Sequence, residues 1–185
     1  HRASGGARTR VPTGPSRAHA RRAGSWEDRP LSWVLAEAAD LHPDAIAVSD
    51  GVRPFSYREL RDRAAGLASA LPEYRVRAHD VVTVFLPNWP EAVEVIHGAT
   101  WAGCVINPVV TTYRHAELSF ILQQSGTRAI FIPHVFRGFD YVAMLDEMVT
   151  GMVDPPTVIV VRPHGELPPW FGLFDEPLGR QTNVG

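Results

Sequence analysis

Four short apolar runs alternate with stretches of helical spacing, and this alternation limits the possible folds more than any other feature of the chain. Val81-Val82-Thr83-Val84-Phe85-Leu86 is almost continuously apolar, as in a strand covered on both faces. Cys104 to Ile106, Ala129 to Ile132 and Thr157 to Val161 are the other three runs. Between them, Pro90 suits the first turn of a helix running to about Ala102. A helix from about His115 to Gln124 turns Leu118, Ile121 and Leu122 inward, with Gly126 as its C-terminal cap. A third spans residues 139–149. This order predicts an α/β fold, an open parallel sheet with right-handed crossovers and flanking helices.

Ahead of the first run, Val34, Leu35, Ala38 and Leu41 recur at helical spacing until His42-Pro43 ends the pattern. Ile46 to Val48 and Arg53 to Phe55 read as a hairpin around Asp50-Gly51. Ser56-Tyr57-Arg58-Glu59 is a capping box opening a helix with Leu60, Ala64, Leu67 and Leu71 on one face. The expected division is a flexible basic tail over 1–30, an α/β unit over 31–162, and an irregular segment over 163–185. That last segment holds four prolines and four glycines, and no element is predicted in it.

Charge narrows the chemistry. All 18 basic residues are arginine, so the chain has no lysine to clamp a phosphate or form a Schiff base. Six of them lie in residues 1–25 without any acid, while the remaining 12 face 20 acids. A basic tail suits nucleic acid or an anionic membrane. Residues 1–25 lack aromatic residues and periodicity, so the stretch reads instead as a solvated segment with no nucleic-acid partner. No apolar run approaches the ~18–20 residues of a membrane span, and the basic start lacks a signal peptide's apolar stretch. Cys104 alone cannot form an internal disulfide, which suits the cytoplasm.

Open parallel sheets bind ligands at the carboxyl ends of their strands. Two segments qualify here: Asn88 with Trp89, and Asn107-Pro108 with Thr111 and Thr112. Each suits still better a structural reading, in which Pro and Asn simply end strands and start helices. No glycine-rich phosphate loop or nucleophile elbow is present. The eight histidines lack metal-ligand spacing, so neither a metal site nor a catalytic residue is assigned. His97 and Cys104 would share a helix face only if the helix continued past Gly103; Cys104 reads as a buried, inert thiol. Asp80 beside His79 reads as a loop pair, and Glu91 with Glu94 as a solvated helix face.

Five segments in order resemble the opening of adenylate-forming enzymes, the acyl-CoA synthetases, aryl-CoA ligases and nonribosomal adenylation domains. They are His42-Pro43-Asp44 with Ala47-Val48; Phe55 to Leu60; Val84 to Asn88 with Pro90-Glu91; Ala102 to Pro108; and Glu117-Leu118 with Ser125-Gly126. Gly24 to Arg29, Asn107-Pro108 and Phe136 to Tyr141 look like ligases of the cyclohexanecarboxylate type and their medium- and long-chain fatty-acid relatives. The resemblance implies the first subdomain of such a ligase. Its parent reaction joins a carboxylate to the α-phosphate of ATP, releasing pyrophosphate, and the CoA thiol then displaces AMP. ATP, Mg²⁺ and CoA would serve the parent enzyme. None is expected to bind this portion, which lacks the family's Ser/Thr/Gly-rich loop and its lysines. Its expected partner is the rest of the ligase polypeptide, with self-association through exposed apolar surface. A flavodoxin-like binding module and a non-enzymatic interaction domain are the alternatives.

Overall fold

A computed structural model describes residues 31–174; the expected basic tail and residues 175–185 lie outside them. Helix α1 (Leu31–Leu41) leads into a hairpin of β1 (Ile46–Ser49) and β2 (Pro54–Ser56). The Ser56 hydroxyl accepts from the Glu59 amide at 3.2 Å, and the Glu59 carboxylate accepts from the Ser56 amide at 2.9 Å. This reciprocal cap starts α2 (Tyr57–Ala70), which tightens into a 3-10 turn at Leu71–Tyr74. Ser56→Ala removes one of the two bonds and is expected to cost about 1 kcal/mol in urea unfolding.

The alternating unit follows as β3 (Val81–Val84), α3 (Pro90–Trp101), β4 (Val105–Pro108), α4 (His115–Ser125) and β5 (Thr127–Pro133). A small hairpin of β6 (Val135–Phe136) and β7 (Phe139–Asp140) leads into α5 (Tyr141–Thr150), then β8 (Thr157–Val161) and β9 (Gly172–Phe174). Five strands form one parallel sheet in the order β4-β3-β5-β8-β9. Pro90 stands at the start of α3, and Gly126 closes α4 at φ +62, a left-handed cap that favours glycine.

Alternation along the strands splits the core. Ile130, Ile132, Val158 and Val160 pack with Leu118, Leu122, Leu145 and Met148 of α4 and α5. Phe131, Ile159 and Val161 face the other way, against Leu67, Leu71, Val95 and Ala99. Both faces are covered, as the continuous apolar runs require.

Three features depart from the sequence expectation. Helix α1 buries Ser32, Leu35 and Ala39, while Val34 and Leu41 are exposed. Small residues let α1 lie close to α2 and α3, and this rotates its inner stripe by about one position. The β6–β7 hairpin was not anticipated, because two-residue strands carry no readable period. Strand β9 lies in the segment expected to be irregular. Tyr74 holds it by donating its hydroxyl hydrogen to the Leu173 carbonyl at 2.9 Å, a contact spanning 99 positions. Among the described residues, no helix is long and apolar enough to cross a membrane.

Candidate functional site

The carboxyl ends of β3, β4 and β8 open onto a cleft of about 820 Å³. Leu86, Ala92, Ile96 and Val109 form its apolar part, and Asn88, Trp89, Thr111, Arg137 and Arg162 bring polar or aromatic groups to it. Pro87 lies three residues past the end of β3 and Pro90 begins α3, so the two prolines fix the loop that carries Asn88 and Trp89.

Of the residues the sequence singled out, Asn88, Trp89, Pro108 and Thr111 line this cleft together. Asn107 does not. Its side chain donates to the Thr83 hydroxyl at 3.1 Å, joining a chain of hydroxyls in which Thr83 and Thr127 lie 2.6 Å apart and Thr127 and Ser125 2.7 Å apart. Thr112 is exposed and stands outside the lining.

Arg162 organises the cleft's wall. Its guanidinium donates to both Glu91 carboxylate oxygens, at 2.7 and 3.0 Å, and to Asp50 at 2.6 Å. It also lies 4.3 Å above the Trp89 ring centroid. One side chain thus ties the end of β8 to the first turn of α3, the β1–β2 turn and the Trp89 loop. Bidentate pairing of this kind suits arginine's planar fork. Burial alone would lower the Arg162 pKa, but the hydrogen bonds to Glu91 and Asp50 outweigh it and hold the pKa above its usual value. The Arg162 hydrogen bond, aided by the Val52 and Arg53 amides, lowers the Asp50 carboxyl from 3.8 to about 2. A depressed carboxyl stabilises the fold above its unfolded pKa, and that contribution disappears as pH falls through the folded value. Stability is therefore expected to drop between about pH 4 and pH 2, and Asp50→Asn to flatten that part of a urea-midpoint profile.

Glu91 and Glu94, read from sequence as a solvated face, are both buried, at 5% and 3% exposure. Each has an arginine: Arg162 for Glu91, and Arg63 at 2.7 Å for Glu94. The available sequence signal was their position among Ala92, Val93, Val95 and Ile96, since acids in an apolar stretch are rarely buried without a partner. Sequence reasoning also missed Asp50, Arg137 and Arg162 in the cleft.

Two other expectations bear on chemistry. Cys104 is buried, and desolvation, then the Asp80 charge, raises its pKa, so the thiol is held in its unreactive protonated form. Among the described residues, no group of three or more His, Cys, Asp or Glu side chains is placed to hold a metal. Both carboxylates at the cleft are occupied by Arg162, so these residues do not fit Mg²⁺.

The family described as AMP-binding enzyme matches residues 35–175. Among curated proteins, the chain is 38% identical to a 2-hydroxy-7-methoxy-5-methyl-1-naphthoate–CoA ligase of Streptomyces carzinostaticus, over 74% of this chain and 24% of that protein. It is 35% identical to a salicyl-AMP ligase/salicyl-S-ArCP synthetase of Mycobacterium tuberculosis, over 83% of this chain and 28% of that one. Among solved structures, apo MbtA of Mycobacterium smegmatis superposes with a TM-score of 0.68 at 32% identity, covering 76% of this chain and 26% of that chain. The chain spans about a quarter of the length of these relatives. With the match running from the first described helix through the last strand of the sheet, the chain belongs to the AMP-binding enzyme family of adenylate-forming acyl- and aryl-CoA ligases.

Proposed function

We propose that this chain is the amino-terminal portion of an ATP-dependent ligase that activates a carboxylic acid as its acyl-adenylate and passes the acyl group to a thiol. The observation that carries this reading is the family match over 35–175, together with a ligand-sized cleft where an open parallel sheet places one. Asn88, Trp89, Pro108 and Thr111 are the proposed substrate-facing residues. The relatives named above act, by their descriptions, on naphthoate and salicylate. An aryl acid is therefore favoured over the cyclohexanecarboxylate-type and fatty acids suggested by Gly24 to Arg29, Asn107-Pro108 and Phe136 to Tyr141.

Activating a carboxylate on ATP brings anions together and needs cations and preorganised donors around the α-phosphate. This chain contains no lysine, and the cleft's central arginine is neutralised by two carboxylates. The 185 residues alone are therefore expected to release no pyrophosphate above background when given ATP, Mg²⁺ and salicylate. Acid-dependent release by the purified chain would overturn that statement.

The edge strand β4 supports a second proposal, for the chain on its own. Val105 on β4, Trp101 before it and Val110 after it are 52%, 42% and 57% exposed. Among the described residues β4 is an edge strand with exposed apolar neighbours, an arrangement that favours pairing with a second copy. Light scattering is expected to detect dimers or larger species, and Val105→Lys to shift them toward monomer. A wild-type monomer at high concentration contradicts this.

A further inference from the structure

The cleft carries a second arginine whose situation is opposite to that of Arg162. Arg137 and Gly138 form the two-residue turn between β6 and β7, with φ of +52 and +75. Positive φ at both positions is the type I′ geometry, which favours Asn, Asp or Gly first. An arginine there costs backbone energy, and such outliers concentrate at functional sites.

The turn places Arg137 at the end of a stacked series. Its guanidinium lies 5.2 Å from the Phe136 ring centroid. Phe136 meets Trp89 edge-on, at 5.8 Å and 89°. Arg162 covers the Trp89 face. Two cations thus bracket two aromatic rings along one wall. Asp50 and Glu91 offset the charge of Arg162, whereas Arg137 pairs with no carboxylate among the described residues. The Asn88 amide and the Thr111 hydroxyl line the same cleft and likewise have no side-chain hydrogen-bond partner among those residues. Arg137 and Asn88 are exposed and Thr111 is half-buried, so three polar groups without a side-chain partner among the described residues share a cleft whose remaining lining, apart from the Asp50–Arg162 pair, is apolar or aromatic.

We infer that Arg137, with Asn88 and Thr111, forms an oxyanion subsite for a ligand whose flat or apolar body rests against Trp89 and Phe136. This rests on the cleft being the ligand site proposed above. The shared chemistry is an oxyanion on an aromatic body, either a carboxylate such as an aryl acid's or a phosphate such as a nucleotide's.

Binding of salicylate, AMP and inorganic phosphate to the 185-residue chain tests the inference by calorimetry, with benzamide and adenosine as uncharged counterparts. At least one organic anion is expected to bind more tightly than its neutral counterpart and than inorganic phosphate, and the tighter of the two identifies the source. Arg137→Gln is expected to weaken it about tenfold or more, the scale of a charge-assisted hydrogen bond. Arg128→Gln, at the opposite end of the strands, should leave binding unchanged, and circular dichroism checks that both variants fold. Equal binding of anion and neutral counterpart, or an anion affinity unmoved by Arg137→Gln, overturns the subsite and leaves the cleft standing. If neither the anions nor their counterparts bind, the cleft falls with it.

Discussion

Arg63→Met is expected to destabilise the chain by about 3–5 kcal/mol, the range for breaking a buried ion pair from one side. The Glu94 side chain is 4% exposed and accepts from Arg63 Nε at 2.7 Å. Arg63 is itself 14% exposed and stacks 5.2 Å from the Phe55 ring. Methionine keeps most of the stem and its packing but removes the guanidinium that the buried Glu94 carboxylate accepts from at 2.7 Å. Much of the loss should be recovered in the double variant Arg63→Met/Glu94→Leu. Replacing a buried pair by apolar side chains of similar volume is often close to neutral. Urea unfolding of the four proteins forms a double-mutant cycle. Were Arg63→Met to cost under 1 kcal/mol, as an exposed pair would, the burial argument would be wrong.

The same pair shows what the sequence could and could not reveal. Strands β3, β5 and β8 were legible because a doubly covered strand is nearly all apolar, and Val81 to Leu86 has that pattern. The Ser56 cap, the proline at α3 and the glycine closing α4 were legible because each acts within a few residues of itself. Glu94 lies 31 positions from Arg63, and Glu91 lies 71 from Arg162. No local pattern carries that information, and a glutamate at helical spacing looks the same whether it meets water or an arginine. The cleft divides in the same way. Asn88 and Trp89 could be placed by the rule for carboxyl ends of strands. Asp50, Arg137 and Arg162 arrive from turns and strand ends that meet only in the folded chain, and Asn107 turns away because neighbouring strand residues face opposite sides.

Gly98→Val is expected to destabilise by more than about 3 kcal/mol, beyond the ordinary range for added core volume. Helices α2 and α3 meet at this glycine so closely that a β-carbon placed there would lie 2.8 Å from the Ala64 carbonyl oxygen and 3.0 Å from two atoms of Leu67. The oxygen is backbone, and Leu67 is fully buried, so neither can swing aside. The helices must separate, and this uncovers Ala64 and Ala99, which are also fully buried. Gly98→Ala sets two effects against each other: alanine gains about 1 kcal/mol of helix propensity but meets the same carbonyl. Because backbone has to move, the clash wins, and a smaller net loss of about 1–2 kcal/mol is expected. Gly126→Ala is the useful contrast. It meets nothing within 4 Å but holds φ at +62, so it should cost about 1 kcal/mol, from conformation alone. The distinction extends to the cleft, since α3 carries Glu91 in its first turn and pushing the helix outward pulls Glu91 from Arg162. At matched temperature below unfolding, Gly98→Ala should therefore alter Trp89 fluorescence, scored against a Trp89→Phe background, while Gly126→Ala should not. A Gly98→Ala protein as stable as wild type would show that the clash costs no more than the helix propensity that alanine gains.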